Sequence, residues 1–194
     1  MGVKLQDLFI RRKVNFPELK GRIIAIDAPN IIMSLIKFSP RNSITNDTDL
    51  ILDRTQRPIS HLYGLLYRTN FYFSKSILPI FCFDGRVSEI KRKITKNQLN
   101  DFQFAQKRYK NAINSENNRL ARKIALSSEY LWPNIISEAK ELLNALGIPI
   151  IESPASAESQ CAYLVRNGIS DYSNSQDFDS MVFGCPYLIQ NLSK

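Results

Sequence analysis

Two continuous apolar runs, each closing on an aspartate, constrain this chain more than anything else in it. Residues 22–28 read RIIAIDA and residues 78–85 read LPIFCFDG. A run without polar alternation needs cover on both faces, which is the situation of an inner strand in a parallel sheet flanked by helices. Helical segments separate the runs. SHLYGLLYRTNFYFSKS, from Ser60, places apolar residues at helical spacing behind a suitable N-cap, and its Tyr and Phe residues are expected in the core. PNIISEAKELLNALG is amphipathic, with Pro133 in its first turn and Gly147 at its stop. A helix through the thirties, the strand IPIIES (148–153), the helix SAESQCAYLVRNG ending at Gly168, and a last strand CPYLIQNL (185–192) complete the alternation. ISDYSNS reads as a short connecting segment, and the turn-rich stretch 39–58 as a surface excursion. Strands alternating with helices predict an α/β fold with a mostly parallel sheet.

Five carboxylates then fall where predicted strands end or a helix begins: Asp27, Asp84, Glu158, Asp177 and Asp179. In an open α/β sheet the strand ends face one crevice, so acids far apart in sequence converge there. Such a crowd of like charges is unfavourable unless a cation neutralises it. Hard divalent ions take oxygen ligands, and two of them about 4 Å apart clamp a phosphodiester for in-line hydrolysis. Taken singly, each acid is equally well read as a helix cap or a salt-bridge partner.

With 194 residues, 44% hydrophobic and 23% charged, the chain can build one substantial core and is not a disordered polyelectrolyte. Its formal charge of +8 points to a polyanionic partner if the cations cluster. They do. Between Arg86 and Lys123 stand eleven Lys and Arg residues against Glu89, Asp101 and Glu116, interleaved with Phe102, Phe104 and Tyr109. A one-signed helical insertion of this kind, directly after a candidate ligand, is expected to contact phosphates. Cys82, Cys161 and Cys185 are widely spaced and odd in number, so they read as reduced, buried thiols and not as zinc ligands. His61 is the only histidine, which leaves no His-based metal site or catalytic triad and makes it a structural residue at the start of its helix. MGVKLQDLF has no apolar run behind its charges, so an intracellular chain without signal peptide or membrane anchor is expected.

MGV at the start, IAIDA, SHLYGLLYRT, LPIFCFDG, LLNALGIPIIESP and SQDFDSMVFGCPYLIQNL occur in a fixed order and spacing. In these blocks the chain resembles the flap endonuclease family of structure-specific nucleases related to XPG, in its archaeal form. The resemblance implies a PIN-like sheet with an active site above its strand ends and a basic helical arch over it. It further implies a 5′-flap endonuclease and 5′→3′ exonuclease of DNA replication and repair that uses two Mg2+ ions, replaceable by Mn2+. By position, Asp27, Asp84 and Glu158 match family ligands of one metal, and Asp177 and Asp179 those nearer the second. Lys91 matches a basic residue at the arch base that reaches the scissile phosphate, with Arg92, Lys93 and Lys96 beside it as DNA contacts. Gly2 belongs to an N-terminal segment near the substrate path. Residues 1–194 would then be one truncated nuclease domain: family N region 1–98, arch 86–125, internal region 126–194.

Departures from the family pattern point the other way. Ser156 stands where the family usually has the first Glu of Glu-x-Glu, Gln98 where it has an arginine, and Met33 near a base-stacking tyrosine. Lys194 precedes the family's further metal-binding aspartate, its helix–two-turn–helix DNA element and its sliding-clamp tail, so clamp binding through that tail is not expected. Transition-state contacts are each worth about 3 kcal/mol, about a hundredfold in rate, so several losses together weigh heavily. The alternative expectation is therefore a fragment, a split enzyme or a degenerate paralogue. Such a chain would bind branched DNA or scaffold a repair partner, with a second protein chain completing the sheet.

Overall fold

The computed structural model describes residues 8–36, 38, 51–54, 58–85, 89–125 and 127–192, with the backbone alone at 89–99, 118, 122, 128–129 and 131–134. Most of the excursion expected at 39–58 lies outside the described residues. The chain forms two compact units that interleave along the sequence. Met1–Ile31, Tyr67–Arg86 and Gly147–Lys194 make the first, and Ile32–Leu66 with Val87–Leu146 the second. Among the described residues no helix is long and apolar enough to cross a membrane.

The first unit is built on a five-stranded sheet, β1 (Ile23–Asp27), β2 (Leu78–Phe83), β3 (Ile150–Glu152), β4 (Tyr172–Asn174) and β5 (Leu188–Ile189), in the order β3-β2-β1-β4-β5. All its pairings are parallel, and Asp27 stands opposite Cys82 in the β1/β2 register. The apolar runs have the expected cause: Ile24, Ala25 and Ile26 of β1, with Phe81, Cys82 and Phe83 of β2, are fully buried. Ala25 and Cys82 pack against Ala157, Cys161 and Leu164 of the helix Ala157–Arg166. Three elements differ from expectation. β5 is confined to two residues of the run 185–192, β3 to three of 148–153, and Tyr172–Asn174 is a strand, not a connection.

β4 was hidden because it replaces apolar packing with hydrogen bonds. Ser173 and Asn174 are fully buried; the Ser173 hydroxyl lies 3.2 Å from that of Ser180, and the Asn174 amide donates to the Ile189 carbonyl at 2.9 Å. Asp171 anchors the start of this strand by accepting from Arg22 Nη1 and from the Ile23 backbone N–H, each at 2.8 Å.

Helices link the strands in chain order: α1 (Ala28–Ser34), α2 (Ser60–Ser74), α3 (Glu89–Asn114), α4 (Asn118–Ala125), α5 (Ser128–Ala145), α6 (Ala157–Arg166) and α7 (Asp179–Val182). The basic stretch is thus two helices, α3 and α4, broken where Glu116 takes φ +55°. α5 begins at Ser128 and not at Pro133: Ser127, in extended backbone, marks its start, and Pro133 falls inside it. Gly147, at φ +67°, follows its C-terminal end as expected.

The second unit corrects the reading of the aromatic residues in the basic stretch. Tyr109, Ala112, Ala121, Ile124 and Ala125 form a buried cluster with Tyr130 against it. Tyr109 and Tyr130 rings lie 4.7 Å apart, and Phe102 is also buried. Of the three aromatics only Phe104 is exposed, with the Arg108 guanidinium 5.8 Å from its ring centroid. A helix as long as α3 must bury a stripe to hold its neighbours, and Phe102 and Tyr109 belong to that stripe. In α2 the mixture is similar: Tyr72 is buried, while Tyr63, Tyr67 and Phe73 are exposed. His61 is buried near the start of α2, its Nε2 2.9 Å from Glu138 Oε2. All three cysteines are free and buried.

Candidate metal centre

The strand order reverses between β1 and β4, and the carboxyl ends of β1, β2 and β4 open onto the same side of the sheet. That is where an open α/β sheet forms its crevice. Asp27 is the last residue of β1 and is 1% exposed. Its Oδ1 accepts from the Asn30 backbone N–H at 3.3 Å, which caps α1, and its Oδ2 accepts from Ser175 Oγ at 2.9 Å. Burial raises its pKa to about 7, and the negative charge of Glu158 adds to the rise; the two hydrogen bonds oppose it, and Asp84 contributes a smaller push upward. Glu158 itself sits in the first turn of α6.

Asp84 is placed by a close backbone approach. A Cβ on Gly85 would stand 1.5 Å from the Ser153 carbonyl oxygen, so only glycine lets the chain leaving β2 cross the segment 153–155. Gly85 N–H donates to the Ala155 carbonyl at 2.8 Å, and Ser153 N–H to the Phe83 carbonyl at 2.9 Å. The exposed Asp84 side chain then accepts from the Ala157 N–H at 2.8 Å, at the N-terminal end of α6. Capping therefore accounts for part of what Asp27 and Asp84 do.

After β4 the chain turns through Ser175, Gln176 and Asp177 before α7. Asp177 Oδ2 accepts from Asn30 Nδ2 at 2.6 Å, and its N–H points to Ser175 Oγ at 3.3 Å. Asp179 is the first residue of α7 and is exposed. Asp27 thus lies within electrostatic range of Glu158 and of Asp84, and Asn30 ties Asp177 to Asp27. Among the described residues no three His, Cys, Asp or Glu side chains close into one metal-sized cluster. Asn30 and Ser175 were missed from sequence, since neither belongs to a charged pattern. Position was the only available signal: Asn30 lies one helical turn beyond an acid, and Ser175 two residues before another.

Comparison with family models matches residues 1–103 to the XPG N-terminal domain and residues 147–194 to the XPG I-region. The chain belongs to the XPG family. Within it, the chain is 36% identical to Flap endonuclease 1 of Aeropyrum pernix, with 100% of this chain and 55% of that protein aligned. It is 37% identical to Flap endonuclease 1 of Pyrococcus horikoshii with the same coverage. The solved structure of flap endonuclease-1 from Methanococcus jannaschii superimposes with a TM-score of 0.71 at 27% identity, covering 98% of this chain and 59% of that one. The catalytic core of Rad2 in complex with DNA substrate gives 0.59 at 25% identity, covering 94% and 46%. This XPG-family chain therefore spans a little over half the length of the curated relatives it matches, on the PIN-like sheet those nucleases share.

The chemistry of the donors, though not a closed cluster of them, suits the divalent ion that the family implies. Asp27 is buried beside the negative charge of Glu158, so a cation would relieve the repulsion that lifts its pKa, and all the candidate ligands are hard oxygens. Ser156 has other work. Its hydroxyl caps α6 by accepting from the Ser159 N–H at 3.3 Å, a role that a glutamate fills less well. Lys91, Arg92, Lys93, Lys96 and Gln98 lie on α3 where the backbone alone is described, and Gly2 lies outside the described residues.

Proposed function

We propose that this chain is the metal-dependent catalytic half of a structure-specific 5′ nuclease acting on flapped or branched DNA. The observation that carries the reading is the buried Asp27 at the carboxyl end of β1, whose pKa the charges of Glu158 and Asp84 help to raise. Asp27, Asp84 and Glu158 would hold one Mg2+, and Asp177 with Asp179 would lie nearer a second, Mn2+ serving as a substitute. Bound there, the ions supply Lewis acidity and charge neutralisation at the phosphodiester. The chain's own residues do the rest. Asp27, kept from water by the sheet, fixes the floor of the site. Lys91 places positive charge against the scissile phosphate, while Arg92, Lys93 and Lys96, with Gly2, meet the DNA backbone. Such contacts raise affinity without reading sequence, as recognition of a branched shape requires.

A second reading, a paralogue that binds branched DNA with little cleavage, is favoured by Ser156, whose hydroxyl is committed to capping α6. Under it, a partner chain would pair with β5, which among the described residues pairs with β4 alone. One experiment separates the two. A labelled 5′-flap duplex is incubated with the chain in Mg2+, Mn2+ or EDTA, and binding is measured in Ca2+ against salt. Metal-dependent incision supports the nuclease; tight binding without incision supports the second reading. Neutralising Lys91, Arg92 and Lys93 together should lower affinity and flatten the salt dependence by about 3 on a log–log slope, and an unchanged slope refutes the role given to α3.

A further inference from the structure

We infer that Asn30 is a positioning residue for the candidate metal centre, an inference that rests on the reading just given. Its carboxamide faces two ways across a sequence gap of well over a hundred residues. Oδ1 accepts from the Gln176 backbone N–H at 3.1 Å, while Nδ2 donates to Asp177 Oδ2 at 2.6 Å. The backbone of the same residue donates to Asp27 Oδ1 at 3.3 Å. Ser175 closes the ring from the other side, giving its hydroxyl proton to Asp27 Oδ2 at 2.9 Å and accepting from the Asp177 N–H at 3.3 Å. Asn30 and Ser175 are thus parallel straps between the end of β1 and the turn that follows β4.

The chemistry of the strap is specific. One side chain must donate to the Asp177 carboxylate through one atom and accept from the Gln176 N–H through another, which the two ends of the asparagine amide do and an ionised aspartate or an alanine, having no donor, does not. The turn it holds carries Asp177 and leads to Asp179. Without the strap the turn loses its tie to the end of β1, and its carboxylates must be brought back each time a cation binds. Hydrogen-bonding partners of metal ligands act in this way, and their loss typically lowers metal affinity 10- to 100-fold. Asn30 would touch neither cation nor DNA; it acts through Asp177.

The test is calorimetric titration of Mn2+ into the parent chain and into Asn30→Ala, Asn30→Asp, Ser175→Ala and the double variant Asn30→Ala/Ser175→Ala. Thermal unfolding in EDTA monitors the fold. Asn167→Ala serves as the control, since that side chain bonds only locally, to the Tyr163 carbonyl at 2.8 Å. Asn30→Ala is expected to weaken Mn2+ binding about 10- to 100-fold while the control leaves it unchanged. The double variant should lose less than the two singles combined, because the straps hold one turn. Asn30→Asp keeps the size of the side chain and the acceptor while removing the donor, so it decides the matter if the alanine variant does not fold; it too should weaken binding. Parent-like Mn2+ affinity in a folded Asn30 variant, or strict additivity in the double variant, overturns the inference and leaves the metal reading standing. A parent chain that binds no Mn2+ overturns both.

Discussion

Replacing Gly85 by alanine should unseat Asp84 together with the N-terminal end of α6. The new Cβ would lie 1.5 Å from the Ser153 carbonyl oxygen and 2.7 Å from its carbon, both backbone atoms that no side-chain rotation can move aside. The segment 153–155 must retreat bodily. Its retreat breaks Gly85 N–H to the Ala155 carbonyl and Ser153 N–H to the Phe83 carbonyl, and pulls the Ala157 N–H off Asp84 Oδ1. At a net value of roughly 1 kcal/mol for each such bond, the loss is about 3 kcal/mol. For a chain of this size that lowers Tm by about 6–12 °C. Differential scanning calorimetry in EDTA reads the effect without contribution from bound metal. A Gly85→Ala chain melting within about 2 °C of the parent would refute the claim that this crossing admits only glycine.

Two further outcomes follow from the buried groups. Because the folded-state pKa of Asp27 stands at about 7 against an ordinary 3.8, the folded chain holds that proton more tightly than the unfolded chain does. Metal-free stability should therefore fall as pH rises from 3.8 towards 7 and level off above it; Asp27→Asn should remove this slope, raising Tm at pH 8 but not at pH 4, and an equal change at both values would refute the assignment. Tyr109→Ala should cost about 3 kcal/mol in thermal denaturation by opening the cluster of the second unit, while exposed Phe104→Ala should stay within about 0.5 kcal/mol; equal losses would refute the division into core and surface.

How legible each part was depends on what holds it together. β1 and β2 are read from composition because their stability comes from burying Ile24, Ile26, Phe81 and Phe83, and apolar runs advertise that. β4 could not be read in that way. Its buried residues are Ser173 and Asn174, which the alphabet of propensities assigns to turns, and only the neighbours β1 and β5 make them a strand. The acids were visible because they stand at or near the ends of elements, but the link between Asp27 and Asp177 runs through Asn30 and Ser175, uncharged residues whose importance lies in partners far along the chain. Likewise the charge of α3 was plain, whereas the sorting of Phe102 and Tyr109 inward from Phe104 outward depended on the helices beside it.

The buried thiols carry a last consequence. Cys82 lies two residues before Asp84, Cys161 three residues after Glu158, and both are fully enclosed between β2 and α6, where contact with Cys82 and burial hold the Cys161 thiol protonated. A thiol-reactive dye can reach them only while that enclosure is open. The pair is therefore a built-in clock: the rate at which it is labelled counts the openings of the floor beneath the carboxylates, and slower labelling in Mn2+ would time how firmly a bound ion shuts it.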